Sequence, residues 1–137
     1  MERKPLFHFF PGDIVFSLRG LCCNFRCPSS YTQEALGEIG PHLDAYCVGI
    51  KGFSTETHRE VANFSDLCGI LASTEHARTR WGLQVECITS VIPTMNDNPE
   101  ELREIVRWIA ANLGPDTPWH VTCFVPRGEC SHLPCIT

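Results

Sequence analysis

The chain has 137 residues, a length that fits one compact domain, and we treat 1–137 as a single domain. Apolar residues make up 43% and charged residues 20%, which is typical of a globular protein and excludes wholesale disorder. The net charge is −5 and no cluster of Lys and Arg is present, so we expect no nucleic-acid partner.

The start of the chain, MERKPLFHFFPGD, has basic residues but no sustained apolar core, and Pro5 and Pro11 interrupt it. We therefore expect no signal peptide, no membrane partner and a cytoplasmic location. Nine cysteines are many for that compartment, where thiols stay reduced. Such cysteines are more often buried, metal-binding or catalytic than paired in disulfides.

The spacing of apolar residues predicts strands that alternate with helices. Strands are expected at 13–19, 45–50, 83–92 and 119–125. Helices are expected at 32–39, over 55–80 with a break near 63–65, and at 98–113. The last helix has Asn98 as its N-cap, Pro99 at its first position and Glu101 placed to close a capping box.

Three local features refine this prediction. Thr32 is the expected N-cap of the first helix, and Gly40-Pro41 is its expected stop. The cysteines expected in the core, because they lie in apolar elements, are Cys47, Cys68 and Cys87. The residues expected on the buried face of the last helix are Leu102, Ile105, Val106, Ile109 and Leu113.

Strands that alternate with helices predict a parallel sheet with right-handed crossover connections, an α/β layout. Four strands are too few to close an eight-stranded barrel, which needs about 250 residues. An open four-stranded sheet or a fragment of such a barrel fits better, and of these we predict a partial TIM-barrel-like sheet of about four parallel strands with crossover helices. Such a sheet leaves a strand edge and some apolar surface exposed.

The densest chemical signal is the sequence CCNFRC at 22–27, directly after the first predicted strand. Loops at the carboxyl ends of parallel strands form the functional face of an α/β sheet. Thiolates are soft ligands, and several from one loop bind an iron–sulfur cluster or zinc. Taken alone, the C-x-x-x-C spacing is a weak pattern, and buried thiols would also account for it.

Three segments of the chain resemble the radical S-adenosylmethionine (SAM) enzymes of the AmmeMemoRadiSam system, relatives of the pyruvate-formate-lyase-activating enzymes. KPLFHFFPGD, a strand and then CNFRCP are similar to the opening of that family, whose cysteine loop reads G-C-N-F-R-C-x-x-C. TQEALGEIGPHLDAYCVGIKGFS is similar to its T-x-E-A-L…L-D-A…D-I-K-G-F-S segment. VECITSVIPTMNDNPEELREIVRWIAANLGPDTPWHVT is similar to its V-x-V-T-T-L-V-I-P-G-x-N-D…E-E-L…W-I…L-G-P-D-T-P-W-H-V-T stretch. The resemblance covers nearly all of the chain.

The resemblance implies a function and a set of cofactors. Cys23 and Cys27 correspond to ligands of a [4Fe–4S] cluster whose fourth iron holds S-adenosyl-L-methionine. The implied reaction is the reductive cleavage of SAM to methionine and a 5′-deoxyadenosyl radical. Lys51 remains from the family's D-I-K motif, which implies a contact with SAM, and a solvated lysine at the end of a strand is the equal alternative. The implied partners are a reductant protein and the companion proteins of the gene system, and no residue identifies the substrate.

The chain departs from the family pattern at positions that this chemistry needs. Ser30 stands where the third cluster cysteine is expected, and Gly49 stands in place of the Asp of D-I-K. The family's R-F-H-P reads Cys123-Phe124-Val125-Pro126 here. Cys27 is followed almost at once by the T-x-E-A-L segment, although several strands and helices separate the two in the family. Ser30 therefore either replaces a cysteine or lies beyond a deletion junction, and we expect impaired activity.

Two other functions stay open. The chain is alternatively a non-catalytic relic of an internally deleted gene, or a small zinc-binding or interaction module. Its zinc candidates are Cys123, Cys130, His132 and Cys135, but their spacing matches no common zinc framework. His120 is expected to serve packing or a structural hydrogen bond.

Overall fold

A computed structural model of the protein describes residues 33–63 and 65–125, and the first predicted strand, 13–19, lies outside them. The helices are α1 (Gln33–Ile39), α2 (Thr55–Ala62), α3 (Leu67–Thr79) and α4 (Pro99–Asn112). The strands are β1 (Ala45–Gly49), β2 (Gln84–Val91) and β3 (Trp119–Cys123). No described helix has the length and hydrophobicity that a bilayer span requires.

The three described strands form one parallel sheet in the order β1-β2-β3. Val48 of β1 is the register partner of Cys87 in β2, and Ile88 of β2 is the partner of His120 in β3. The predicted α/β class with a parallel sheet is thus confirmed for this part of the chain. Neighbouring parallel strands need a crossover connection, and the chain passes through α2 and α3 between β1 and β2 and through α4 between β2 and β3.

Helices cover one face of this sheet. A single cluster of buried side chains joins α1, α3 and α4 to β1 and β2, with Leu36, Val48, Ile70, Val85 and Ile105 among its members. Successive side chains of a strand point to opposite faces, so the alternate positions lie on the other side of the sheet. We call that side the polar face, and its residues are Ala45, Cys47, Gly49, Gln84, Glu86, Ile88, Ser90, His120 and Thr122. None of them belongs to the buried cluster.

The start of α4 follows the prediction in part. Asn98 is its N-cap, because Oδ1 of Asn98 accepts a hydrogen bond from the amide of Glu100 at 2.9 Å, and Pro99 is its first residue. The capping box predicted for Glu101 is wrong. The Glu101 carboxylate instead accepts hydrogen bonds from the loop between β1 and α2 and from the first turn of α2. Spacing within a helix cannot reveal donors that come from a distant loop.

The break predicted within 55–80 is confirmed, since α2 ends at Ala62 and α3 begins at Leu67. Asn63 ends α2 with a φ of 54°, a left-handed conformation that Asn tolerates better than most residues. Asp66 then caps α3, because its Oδ1 accepts a hydrogen bond from the amide of Gly69 at 2.8 Å.

The predicted stop of α1 at Gly40-Pro41 is nearly right. The α-helix ends at Ile39, but the chain continues in a short 3-10 helix over Gly40–His42. Gly40 packs under the ring of Trp81, where a Cβ atom would lie 2.9 Å from ring carbons. Because position 40 is a glycine, the Trp81 ring can pack directly against the backbone at this end of the core. The expected N-cap, Thr32, lies outside the described residues.

The core prediction is wrong at three positions. Cys47 and Cys68 are exposed, whereas Cys87 is buried as expected. Cys47 lies on the polar face, and in α3 the neighbouring Leu67 takes the buried position instead of Cys68. Val106 is 46% exposed, because it lies beside the buried stripe of α4 rather than on it.

Thiol accessibility tests this assignment of faces. Burial, with a smaller effect of the nearby Cys47, raises the pKa of Cys87 to about 12, so this thiol stays protonated at mildly alkaline pH. We expect iodoacetamide to alkylate Cys47 and Cys68 in the native protein and Cys87 only after unfolding. Peptide mass spectrometry over a time course measures the order. Alkylation of Cys87 as fast as that of Cys68 would contradict the fold.

One loop residue is held in an unfavourable conformation. Thr94, between β2 and α4, has a φ of 69°, which costs a β-branched residue about 1–2 kcal/mol. Thr94→Gly removes this cost. Glycine also makes the unfolded chain more flexible, which favours unfolding, but by less than the removed strain. We therefore expect the free energy of unfolding to rise by about 0.5–1 kcal/mol. Urea denaturation measures it.

The matched control is Thr79→Gly at the end of α3. Thr79 is helical and its hydroxyl donates a hydrogen bond to the carbonyl of Glu75 at 2.8 Å. The same substitution should here lower the free energy of unfolding by about 0.5–1 kcal/mol. Equal effects of the two substitutions would rule out strain at Thr94.

Candidate functional site at the carboxyl edge of the sheet

The loops that follow β1 and β2 meet at the carboxyl edge of the sheet, where parallel α/β proteins bind their ligands. The first loop covers 50–54 and the second covers 92–98. Lys51 lies in the first loop, directly after the last core residue of that segment, Ile50, and is partly buried. The predicted site lysine therefore lies at the carboxyl edge of the sheet, and its contact with SAM stays a prediction.

Asn96 joins the two loops. Its side chain is buried, with Oδ1 accepting a hydrogen bond from the amide of Ile92 at 2.6 Å. Its Nδ2 donates to the carbonyls of Lys51 at 2.7 Å and Ser90 at 3.0 Å. Leaving such a buried amide without partners costs about 1–3 kcal/mol, so these bonds strongly favour one arrangement of the loops. The backbone that carries Lys51 is held in this way.

Glu101 holds the far part of the first loop. Its Oε2 accepts hydrogen bonds from the amides of Phe53 at 2.9 Å and Ser54 at 3.3 Å. Its Oε1 accepts from the hydroxyls of Ser54 at 3.2 Å and Thr57 at 2.7 Å. Gly52 passes so close to these groups that a Cβ atom would lie 2.5 Å from Cγ2 of Thr57. The loop after β1 is thereby attached to the first turn of α4.

A second polar contact lies on the polar face, below this edge. Glu86 is 3% exposed in the first half of β2, and its Oε2 lies 3.3 Å from Nε2 of His120 on β3. His120 thus has a polar contact within the sheet. Sequence analysis missed Glu86, and the signal that marks it is a charged residue within the apolar run VECI.

The predicted metal ligands cannot be placed. Cys23, Cys27 and Ser30 lie outside the described residues, as do the zinc candidates Cys130, His132 and Cys135. Cys123 is described and exposed. Within 33–63 and 65–125, no group of three or more His, Cys, Asp or Glu side chains is arranged to hold a metal ion. The described residues alone therefore supply no alternative metal centre.

Comparison with known proteins adds one relative. No family model and no solved structure matches the chain. The chain is similar to an uncharacterized protein of Methanocaldococcus jannaschii, with 22% identity over 202 residues. The match covers 98% of this chain, which spans about 60% of the length of that protein. Because the match extends over 202 residues and the chain has 137, at least 65 aligned positions have no counterpart in this chain.

The attachment of the loop to α4 predicts a pH-dependent stability. Partial burial raises the pKa of Glu101, but hydrogen bonds from Thr57, Phe53 and Ser54 outweigh it and hold the pKa below its ordinary value of 4.5. A depressed carboxyl pKa stabilises the fold above the ordinary value, and this contribution is lost as the pH falls through the folded-state pKa. Glu101→Gln should lower the free energy of unfolding at neutral pH by about 1–2 kcal/mol.

The difference in the free energy of unfolding between Glu101→Gln and the unaltered protein should become smaller as the pH falls below 4.5. Urea denaturation at neutral and acidic pH measures both values. Glu104→Gln is the control, since Glu104 is an exposed glutamate on the same helix. A loss of stability that is the same at both pH values, or equal to that of Glu104→Gln, would contradict the proposed role of the carboxylate.

Proposed function

We propose that the chain derives from a radical SAM enzyme of the AmmeMemoRadiSam type, with Cys23 and Cys27 as inherited ligand positions of a [4Fe–4S] cluster. The proposal includes the architecture, in which the described sheet is part of a TIM-barrel-like wall. The main observation in favour of the proposal is that positions of the quoted family pattern have matching backbone conformations and contacts in the described residues. Three lines of support follow from particular residues.

The first support is the topology. The strands follow one another in the sheet in sequence order, and the helices of the buried cluster lie on one face. A barrel wall is wound in this way, with helices outside and the strands advancing in one direction. A doubly wound sheet reverses its strand order and carries helices on both faces. The described segment therefore fits an arc of a barrel better than a dinucleotide-binding sheet.

The second support is the agreement of pattern positions with backbone geometry. The family pattern has Gly in V-I-P-G-x-N-D where this chain has Thr94, and Thr94 has the positive φ that glycine adopts readily. The Asn of that pattern is Asn96, which joins the two loops. The Gly of L-G-P-D is Gly114, with a φ of 106°. These positions have physical roles in the fold, which supports the register of the resemblance.

The third support is the length of the match with the archaeal relative. That match includes at least 65 positions that are absent from the 137 residues of this chain. An internal deletion is what we propose between Cys27 and Thr32, where the family has further strands and helices. The length of the match supports a missing internal segment, although the relative's name states no activity.

The residues that would hold the cofactors are few. Cys23 and Cys27 would bind the cluster, and Lys51 would lie beside SAM at the carboxyl edge, held by the bond between its carbonyl and Asn96. When bound, a reduced cluster supplies the electron that cleaves the carbon–sulfur bond of SAM. The chain's own task would be to bind, orient and exclude water. With Ser30 in place of a third thiolate and Gly49 in place of the Asp of D-I-K, we propose that radical formation is impaired.

Anaerobic reconstitution of the full chain with ferrous iron and sulfide tests this proposal. We expect iron below the full content of a [4Fe–4S] cluster in the unaltered protein, because thiolates are the usual ligands and one is missing. Ser30→Cys should raise the iron content several-fold toward about four atoms per chain. Cys23→Ala and Cys27→Ala should abolish iron binding, while Cys68→Ala, which removes an exposed thiol on α3, should leave it unchanged. Iron and acid-labile sulfide analysis with visible absorption gives the readout.

Iron that survives both Cys23→Ala and Cys27→Ala would sink the proposal. Stoichiometric zinc in protein purified without added metal would favour the zinc-binding module instead. Formation of 5′-deoxyadenosine from SAM, followed by chromatography, reports activity separately from cluster binding. Activity equal to that of an intact family enzyme would contradict the proposed impairment.

A further inference from the structure

A buried carboxylate on the polar face lacks most of the hydrogen bonds that it can accept. The side chain of Glu86 is 5% exposed, and its Oε2 lies 3.3 Å from Nε2 of His120. Its Oε1 is buried and has no hydrogen-bond partner. An ionised carboxylate has about four acceptor positions, so most of the capacity of Glu86 is unused. Buried charges are normally paired, which makes this site an exception that calls for a ligand.

The described sheet supplies no cation for this carboxylate other than a protonated His120. The sequences of β1, β2 and β3 contain no Lys and no Arg. Lys51 is four residues along the chain from Cys47, the register partner of Glu86, and four residues of strand span about 13 Å. The chain as a whole carries a net charge of −5. The described strands therefore supply no second positive charge for Oε1, which makes a bound ligand a candidate source.

Solvent reaches the polar face around this carboxylate. Cys47, opposite Glu86 on β1, is exposed. His120 has 23% of its side chain exposed, and Thr122 on the same strand is exposed. Gly49, the next position of β1 on this face, has no side chain. A small molecule can thus approach the polar face beside Glu86 from either neighbouring strand.

We propose that the polar face binds a small organic cation whose N–H groups complete the hydrogen bonding of Glu86. Ammonium and guanidinium groups share the required chemistry, since each combines a positive charge with several N–H donors. His120 contacts Oε2, which leaves Oε1 to accept from the ligand. This inference requires neither an iron–sulfur cluster nor SAM, so it is tested separately from the proposed function.

Titration of the full reduced chain, with ¹³C-labelled glutamate, tests the proposal by NMR. The probes are methylguanidinium, methylammonium and tetramethylammonium chloride at constant ionic strength. We expect a saturable change in the carboxyl resonance of Glu86 with one or both of the first two probes. Tetramethylammonium has the same charge but no N–H donor, and it should bind at least about tenfold more weakly. The comparison of the first two probes distinguishes a guanidinium from an ammonium ligand.

Glu86→Gln removes the carboxyl resonance itself, so the ring resonances of His120, which contacts Glu86, serve as the readout for the variants. Glu86→Gln should abolish their response to the probe, and Glu104→Gln, at an exposed glutamate, should leave it unchanged. Equal responses to all three cations, no response to any, or an unchanged response in Glu86→Gln would overturn the proposal. So would a Glu86 resonance typical of a protonated acid at neutral pH with no change on addition of the probes. If Glu86→Gln does not fold, as judged by circular dichroism, the comparison of methylguanidinium with tetramethylammonium in the unaltered protein decides.

Discussion

The buried amide of Asn96 is the contact on which the carboxyl edge depends. It reaches the carbonyl of Lys51, 45 residues earlier in the chain, and that of Ser90, 6 residues earlier. It also accepts a hydrogen bond from Ile92, the residue at which β2 gives way to its loop. A planar amide with donors on one side and an acceptor on the other can form all three hydrogen bonds at once. The ends of β1 and β2 are therefore held in a fixed relation, and Lys51 is positioned with them.

Glu101 extends the same constraint to α4. Its four hydrogen bonds connect the first turn of that helix to Phe53, Ser54 and Thr57, so the loop after β1 cannot move independently of the helix after β2. A loop held at both ends keeps a small set of conformations, which is what a binding edge requires. The radical SAM ancestry that we propose would give this edge its original purpose, with Asn96 and Glu101 as the scaffold beneath it.

The two faces of the sheet have different chemistry. The helix-covered face is closed by apolar contacts around Val48, Cys87 and Ile105. The other face combines a buried carboxylate, an imidazole and small polar side chains, and none of its residues belongs to the apolar cluster. Beyond β2 the helix-covered side is less complete, since Val121 on β3 is 52% exposed and Val106 on α4 is 46% exposed. These two valines leave apolar surface exposed on β3 and α4.

Short-range pattern in the sequence was enough to determine the order of the described elements, the break at Asn63 and the cap at Asn98, because each depends on neighbouring residues alone. The sequence also carried the resemblance, on which the assignment of Cys23, Cys27 and Lys51 still depends. Only the tertiary structure decided the roles of Glu101, Asn96 and Glu86, and the exposure of Cys47 and Cys68. The partners of Glu101 and one partner of Asn96 lie more than forty residues away, and that of Glu86 lies on the next strand. Which residues become neighbours across such separations is set by how the helices and strands pack, and spacing within one element cannot reveal it.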